Sequence, residues 1–119
     1  MRISELAAKT QVSVHRLRRY EADGLIDSQR LPNGYRVYDD KTVKHVIFIA
    51  MSREMGFSLS FIAEYLPRFK TGKLLAKDMI EAIQQRVADI DQVIAQHQAL
   101  RKKLIDHIGW FKNKPRKST

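Results

Sequence analysis

The 119-residue sequence has no cysteine, which excludes disulfides, thiolate metal sites, iron–sulfur clusters and cysteine nucleophiles. It has only three prolines and five glycines, and these punctuate the chain at the ends of apolar-periodic segments. No run of apolar residues approaches the length of a membrane span. The opening MRISELAAKT lacks the apolar stretch of a secretory signal, so a cytoplasmic protein with no membrane partner is expected. No GxSxG, P-loop, paired-carboxylate or HExxH pattern occurs, so neither enzyme activity nor a cofactor is expected. Acidic residues are also in deficit: 13 Asp and Glu stand against 22 Lys and Arg, a net charge of +9. Such an excess points to a polyanionic partner, with nucleic acid the first choice.

The charge is not evenly spread. Residues 1–70 carry a net +4, residues 71–108 only +1, and residues 109–119 carry +4 with no acid. Three segments follow: a basic head at 1–70, a linker and long helix at 71–108, and a short basic tail at 109–119.

In the head, Leu6 and Ala7 fit a short helix beginning near Ile3. Gln11-Val12-Ser13 is a tight turn, and Ser13 is a good N-cap for a second helix over Val14 to Ala22, closed by Gly24. Two short helices joined by a tight turn outline a helix-turn-helix. Next, Pro32-Asn33-Gly34 marks the turn of a small β-hairpin, with Asn-Gly favouring left-handed backbone geometry. Asp39-Asp40 caps a third helix over about 40–55, with an apolar stripe of Val43, Val46, Ile47, Ala50, Met51 and Met55. Gly56 ends it. Ser58 caps a fourth helix that is expected to stop near Pro67.

From about Leu75 to Ile108 there is neither Gly nor Pro. Apolar side chains recur there in alternating steps of four and three: Ala76, Ile80, Ile83, Val87, Ile90 and Ile94, then Leu104 and Ile108. That is the 3.5-residue rhythm of a coiled-coil seam, and the simplest partner is the same helix of a second copy. His97 and Arg101 fall within the seam. They are either a register-setting polar spot or a place where Val93 and Leu100 take over the contact. Gly109 is expected to cap this helix.

The second helix carries the candidate DNA-reading residues. Val14 and Leu17 are expected to face inward. His15, Arg16, Arg18 and Arg19 are placed on the outward arc, and Ser13 and Tyr20 complete the candidate DNA contacts. Three arginines within one exposed turn repel one another without an anion, and a DNA major groove supplies both phosphates and base edges that arginine can grip bidentately. Arg30, Tyr35 and Arg36 around the hairpin turn are suited to straddle a phosphate strand. Tyr38 is assigned to the core instead.

These residues also carry a resemblance. The segment from Ile3 to Leu66 resembles the DNA-binding head of the MerR family of bacterial transcription regulators. The shared features are Arg2-Ile3-Ser4-Glu5-Leu6-Ala7, Arg18-Arg19-Tyr20-Glu21, Gly24-Leu25-Ile26, Asn33-Gly34-Tyr35-Arg36-Val37-Tyr38 and Met55-Gly56-Phe57-Ser58-Leu59. The long helix in the right place extends the likeness to nearly the whole chain. Arg19 departs from it, since an aromatic is common at that position.

The resemblance implies a mainly α fold: a winged helix-turn-helix head and a long dimerisation helix, antiparallel in a homodimer. It implies binding of double-stranded DNA at a near-palindromic promoter operator, DNA distortion that lets RNA polymerase engage, and contacts from Arg18, Tyr20, Tyr35 and Arg36. Metal-sensing members share cysteines that this chain lacks. Its histidines, His15, His45, His97 and His107, form no i, i+4 pair and sit beside no carboxylate cluster, so no metal site is expected. No separate effector domain is expected either. The signal is then a small organic effector or none, and Trp110 and Phe111 either line its pocket or pack at the helix end. The competing reading is a basic coiled-coil interaction protein without operator specificity, which leaves the helix-turn-helix and wing unexplained.

Overall fold

A computed structural model describes residues 1–113. The chain divides into two compact units, one spanning Met1–Leu74 and a second beginning at Leu75.

The first unit is a winged helix-turn-helix. Helix α1 (Ile3–Thr10) and helix α2 (Val14–Ala22) are joined by the expected tight turn. Gln11 takes left-handed backbone there (φ 58°), and the Ser13 hydroxyl accepts the Arg16 N–H at 3.2 Å, as an N-cap should. Gly24, at φ 77°, ends α2: its N–H reaches the Glu21 carbonyl at 3.0 Å, and the Leu25 N–H reaches that of Tyr20 at 2.9 Å. This paired closure satisfies two orphan carbonyls and throws Leu25 and Ile26 into the core.

The wing is smaller than its turn signal suggests. Strands β1 (Gln29–Arg30) and β2 (Arg36–Val37) pair antiparallel, Gln29 opposite Val37 and Arg30 opposite Arg36. Only Gly34 of the Asn-Gly pair takes positive φ (88°). The Gly34 N–H closes the turn onto the Leu31 carbonyl at 2.9 Å, and the Leu31 N–H reaches Tyr35 at 2.7 Å. Pro32 presets the first corner, so one left-handed residue is enough. Ile26 lies in the core rather than in a strand.

Helix α3 (Lys41–Glu54) packs against both α1 and α4 (Leu59–Lys70). Its buried residues are Thr42, Val46, Phe48, Ile49 and Ser52, whereas Ile47 and Met51 of the expected stripe are exposed. Burial on two sides selects a broader arc than apolar identity alone indicates, and two small polar residues complete it. Ser58 caps α4 as expected, accepting the Phe61 N–H at 3.1 Å. Pro67 does not stop α4, which continues to Lys70. The proline forfeits one hydrogen bond, but Phe69 in the added turn stacks on Phe48 at 4.6 Å, and Thr71 bonds back to the Pro67 carbonyl. Leu6, Leu17, Ile26, Val46, Ile49 and Ile62 form the centre of the core.

The second unit is a single helix, α5 (Ala76–Lys112), of 37 residues and about 55 Å. The Asp78 carboxylate accepts the Leu75 N–H at its start. The helix runs through Gly109, so Trp110, Phe111 and Lys112 are helical rather than part of a tail. Glycine costs a helix only about 1 kcal/mol, a small penalty in a helix of 37 residues. The remaining tail residues Lys114, Arg116 and Lys117 lie outside the described residues. Helix α5 has no buried residue of its own. Ile80, Val87, Ile90, Ile94, Leu104 and Ile108 are exposed along it, as are His97 and Arg101, while Ile83 is half-buried. Val93 and Leu100 are exposed to the same degree as the seam residues. No helix among the described residues is long and apolar enough to cross a membrane.

Candidate nucleic-acid interface

Helix α2 buries Leu17 and presents His15, Arg16, Arg18 and Arg19 to solvent. The reason is geometric: the turn at Gln11–Ser13 sets α2 against α1 through Leu6 and Leu17, which leaves the intervening arginines outward. The side chains of Arg18 and Arg19 are exposed. Arg16 instead turns back along its helix and donates to the Tyr20 hydroxyl at 2.8 Å.

Tyr20 itself is only 5 % exposed. Its ring is part of the core and its hydroxyl is occupied by Arg16, so its place is that of a support for Arg16 rather than an open contact surface. Tyr20, a candidate DNA contact in the sequence, falls three positions after Leu17 and thus on the same inward side. Val14, expected inward, is half-buried.

The wing brings Tyr35 and Arg36 alongside α2. Tyr35 is half exposed, and the Arg2 guanidinium lies over its ring at 4.1 Å. Arg36 pairs with Glu21 of α2 at 3.1 Å. Glu21 is the junction of this face. Its carboxylate also accepts the Ser28 hydroxyl at 3.0 Å and the hydroxyl of buried Tyr38. The two arms of the hairpin, Ser28 before β1 and Arg36 and Tyr38 on and just after β2, are thereby tied to α2 by one side chain. Burial, and then the hydrogen bond and charge of Glu21, push the Tyr38 phenol up to about 12. Tyr38 is 3 % exposed, as the core assignment requires.

Arg2, Ile3, Ser4, Arg18, Gly34, Tyr35, Arg36 and Tyr38 line one groove of about 380 Å³. It joins Arg18 with Tyr35 and Arg36, whereas Ser13, His15, Arg16, Arg19 and Arg30 do not line it. Arg30 is exposed on β1 opposite Arg36, and Ser13 is committed to capping α2. The sequence reading singled out neither Arg2 as a neighbour of the wing nor Glu21 as its anchor. Both depend on pairings across seven or more residues, with no local signal beyond their presence in the shared motifs.

Among the described residues no group of three His, Cys, Asp or Glu side chains could hold a metal ion. His45, away from this face, has its pKa lowered by burial and by the Lys70 charge.

The family described as MerR HTH family regulatory protein matches residues 1–68, and a second, described as MerR, DNA binding, matches residues 43–107. The mercuric resistance operon regulatory protein of Bacillus cereus is 33% identical over 106 residues, covering 88% of this chain and 80% of the relative. A probable heavy metal-dependent transcriptional regulator of Haemophilus influenzae is 35% identical over 105 residues, covering 87% and 82%. Among solved structures, the transcription regulator PbrR691 from Ralstonia metallidurans CH34, in complex with lead(II), superposes with a TM-score of 0.71 at 26% identity, covering 89% of this chain and 83% of that one. HiNmlR, a MerR family regulator lacking the sensor domain and bound to promoter DNA, shares the fold with a TM-score of 0.60 at 18% identity, covering 94% and 86%. With its arginine-bearing second helix, wing and long third segment in the family's order, the chain belongs to the MerR helix-turn-helix family of DNA-binding transcriptional regulators.

Proposed function

We propose that the protein binds a near-palindromic promoter operator as a homodimer, in the cytoplasm, and controls transcription by distorting the DNA so that RNA polymerase engages or is excluded. The single observation that carries the DNA-reading part is the joining of Arg18 of α2 to Tyr35 and Arg36 of the wing in one basic groove. A helix for the major groove and a wing for the flanking backbone are then held at fixed spacing by Glu21. Ser13, His15, Arg16, Arg19 and Arg30 contribute contacts at the margins, and Tyr20 supports Arg16.

The homodimer reading is supported by α5, whose seam residues Ile80, Ile83, Val87, Ile90, Ile94, Leu104 and Ile108 have no buried neighbour in their own unit to cover them. Its charge selects the orientation. Residues 76–94 carry four acids and two bases, whereas residues 95–112 carry one acid and four bases. Antiparallel helices set unlike halves side by side, and parallel helices would set like against like.

Two relatives are named for metals, but without cysteine this chain has no thiolate to offer a soft metal ion. Its signal is therefore a small organic effector or another protein, or the regulator acts without one. A basic interaction protein lacking operator specificity is disfavoured by the family match.

The test is genome-wide mapping of bound DNA followed by fluorescence anisotropy on the recovered operator and a scrambled duplex. Arg18→Ala is expected to weaken operator binding by about 1–3 kcal/mol and to relax preference at one base pair per half-site. Equal losses on both duplexes would reduce Arg18 to a phosphate contact.

A further inference from the structure

We infer that Arg2 and the first turn of α1 form, together with Arg18 and the wing, a seat for a backbone phosphate of the bound DNA; the inference rests on the DNA-binding reading and extends it to the start of the chain. Residues 1 and 2 are fixed beside the wing. The terminal ammonium of Met1 donates to the Tyr38 carbonyl at 2.8 Å, and the Tyr38 N–H donates to the Met1 carbonyl at 2.6 Å. Met1 is thus held by a pair of hydrogen bonds to the residue that follows β2. From that anchor the Arg2 side chain reaches across the wing and lies on the Tyr35 ring at 4.1 Å. This cation–π contact holds the guanidinium beside the wing, and its five N–H donors are not engaged by the ring's π face.

The same groove collects complementary groups. Arg2, Arg18 and Arg36 line it, together with the Ser4 hydroxyl and the exposed face of Tyr35, and no carboxylate is among its lining residues. Arg2 is also the N-cap of α1 and provides no side-chain cap, so the amides of the first turn are not capped by a side chain. The guanidiniums of Arg2 and Arg18, with Arg36 paired to Glu21 beside them, Ser4 and a helix start border one concavity of about 380 Å³ and favour an anion there. Its position next to α2 matches the duplex backbone flanking the groove that α2 enters, where contacts position the protein and carry no sequence information.

The expected consequence is therefore a salt effect that ignores sequence. Full-length protein would be titrated against a fluorescent 30-base-pair duplex of arbitrary sequence over a potassium chloride series. Arg2→Ala is expected to lower the slope of log K against log salt by about 0.9 for each protomer bound, and to weaken binding about eightfold per protomer at 0.1 M salt. Arg2→Lys, which keeps the charge, is expected to retain the slope. Circular dichroism verifies folding, and Arg2→Gln replaces the alanine variant if the latter is unfolded. A neutral variant that folds and keeps the wild-type slope would overturn the assignment and leave Arg2 as packing for Tyr35. Failure of the unaltered protein to bind duplex at any salt would overturn the DNA-binding reading and this seat with it.

Discussion

Replacing Glu21 by glutamine tests how the wing is held to the recognition helix. The Glu21 carboxylate is 18% exposed and takes three donors: Ser28, Tyr38 and, as an ion pair, Arg36. Glutamine retains one acceptor oxygen but sets an NH2 group against the remaining donors. Hydrogen bonds to a charged acceptor contribute about 1.5–3 kcal/mol each. The Arg36 pair contributes less than about 1 kcal/mol because Arg36 is half in solvent. One good bond lost, one kept and one weak pair removed give a cost of about 2 kcal/mol for Glu21→Gln.

The pH dependence makes the experiment specific. Tyr38 is raised from 10.0 to about 12, so its neutral form stabilises the fold fully below pH 10, and this contribution is lost as pH rises toward 12. The difference corresponds to about 3 kcal/mol. Burial, the largest cause, survives the substitution, but the bond and charge of Glu21 do not. In Glu21→Gln the phenol should therefore titrate lower, though still above 10. Urea unfolding followed by circular dichroism at pH 7 and at steps from pH 9.5 to 11.5 should show the gap between the two proteins narrowing above pH 10. Absorbance at 295 nm should report the earlier phenolate. A gap that stays constant from pH 7 to 11.5 would refute the coupling between Glu21 and Tyr38.

Three further substitutions address other parts of the molecule. Ser52 is fully buried with its hydroxyl unsatisfied, so Ser52→Ala should raise stability by about 1–2 kcal/mol, seen as a higher urea midpoint at unchanged slope. Gln11 holds a left-handed conformation that glycine adopts without strain, so Gln11→Gly should add about 1 kcal/mol; a lower melting temperature would mean that the turn is not strained. Ile83→Asp combined with Ile90→Asp should yield monomers in sedimentation analysis, and dimers that survive both changes would place the interface elsewhere.

The helices and caps of the head were legible because their signals are local. Ser13 and Ser58 each bond to the amide three residues on, and Gly24 sits where its helix must end. Pro67 and Gly109 misled for the opposite reason. Each carries a local penalty that its surroundings outweigh: Phe69 beyond Pro67 stacks on Phe48, and one glycine costs only about 1 kcal/mol in a helix of 37 residues. The stripe of α3 was read correctly at Val46 but not at Ile47 or Met51, because a helix packed on two neighbours buries an arc that depends on where those neighbours lie.

The candidate interface divides in the same way. Residue identity and helical spacing sufficed to place His15, Arg16, Arg18 and Arg19 on the exposed side of α2, and the absence of cysteine alone removed thiolate sensing. Even the halved charge of α5, acidic first and basic last, is a property of the sequence that favours one orientation of paired helices. What only the folded molecule decided is which of these groups meet: Arg2 with Tyr35, Arg36 with Glu21, Met1 with Tyr38, and Tyr20 turned inward beneath Arg16. The physical reason is range. Caps, turns and periodicity act over three to five residues, whereas a groove made from α1, α2 and a wing depends on the packing that brings distant segments of the chain together.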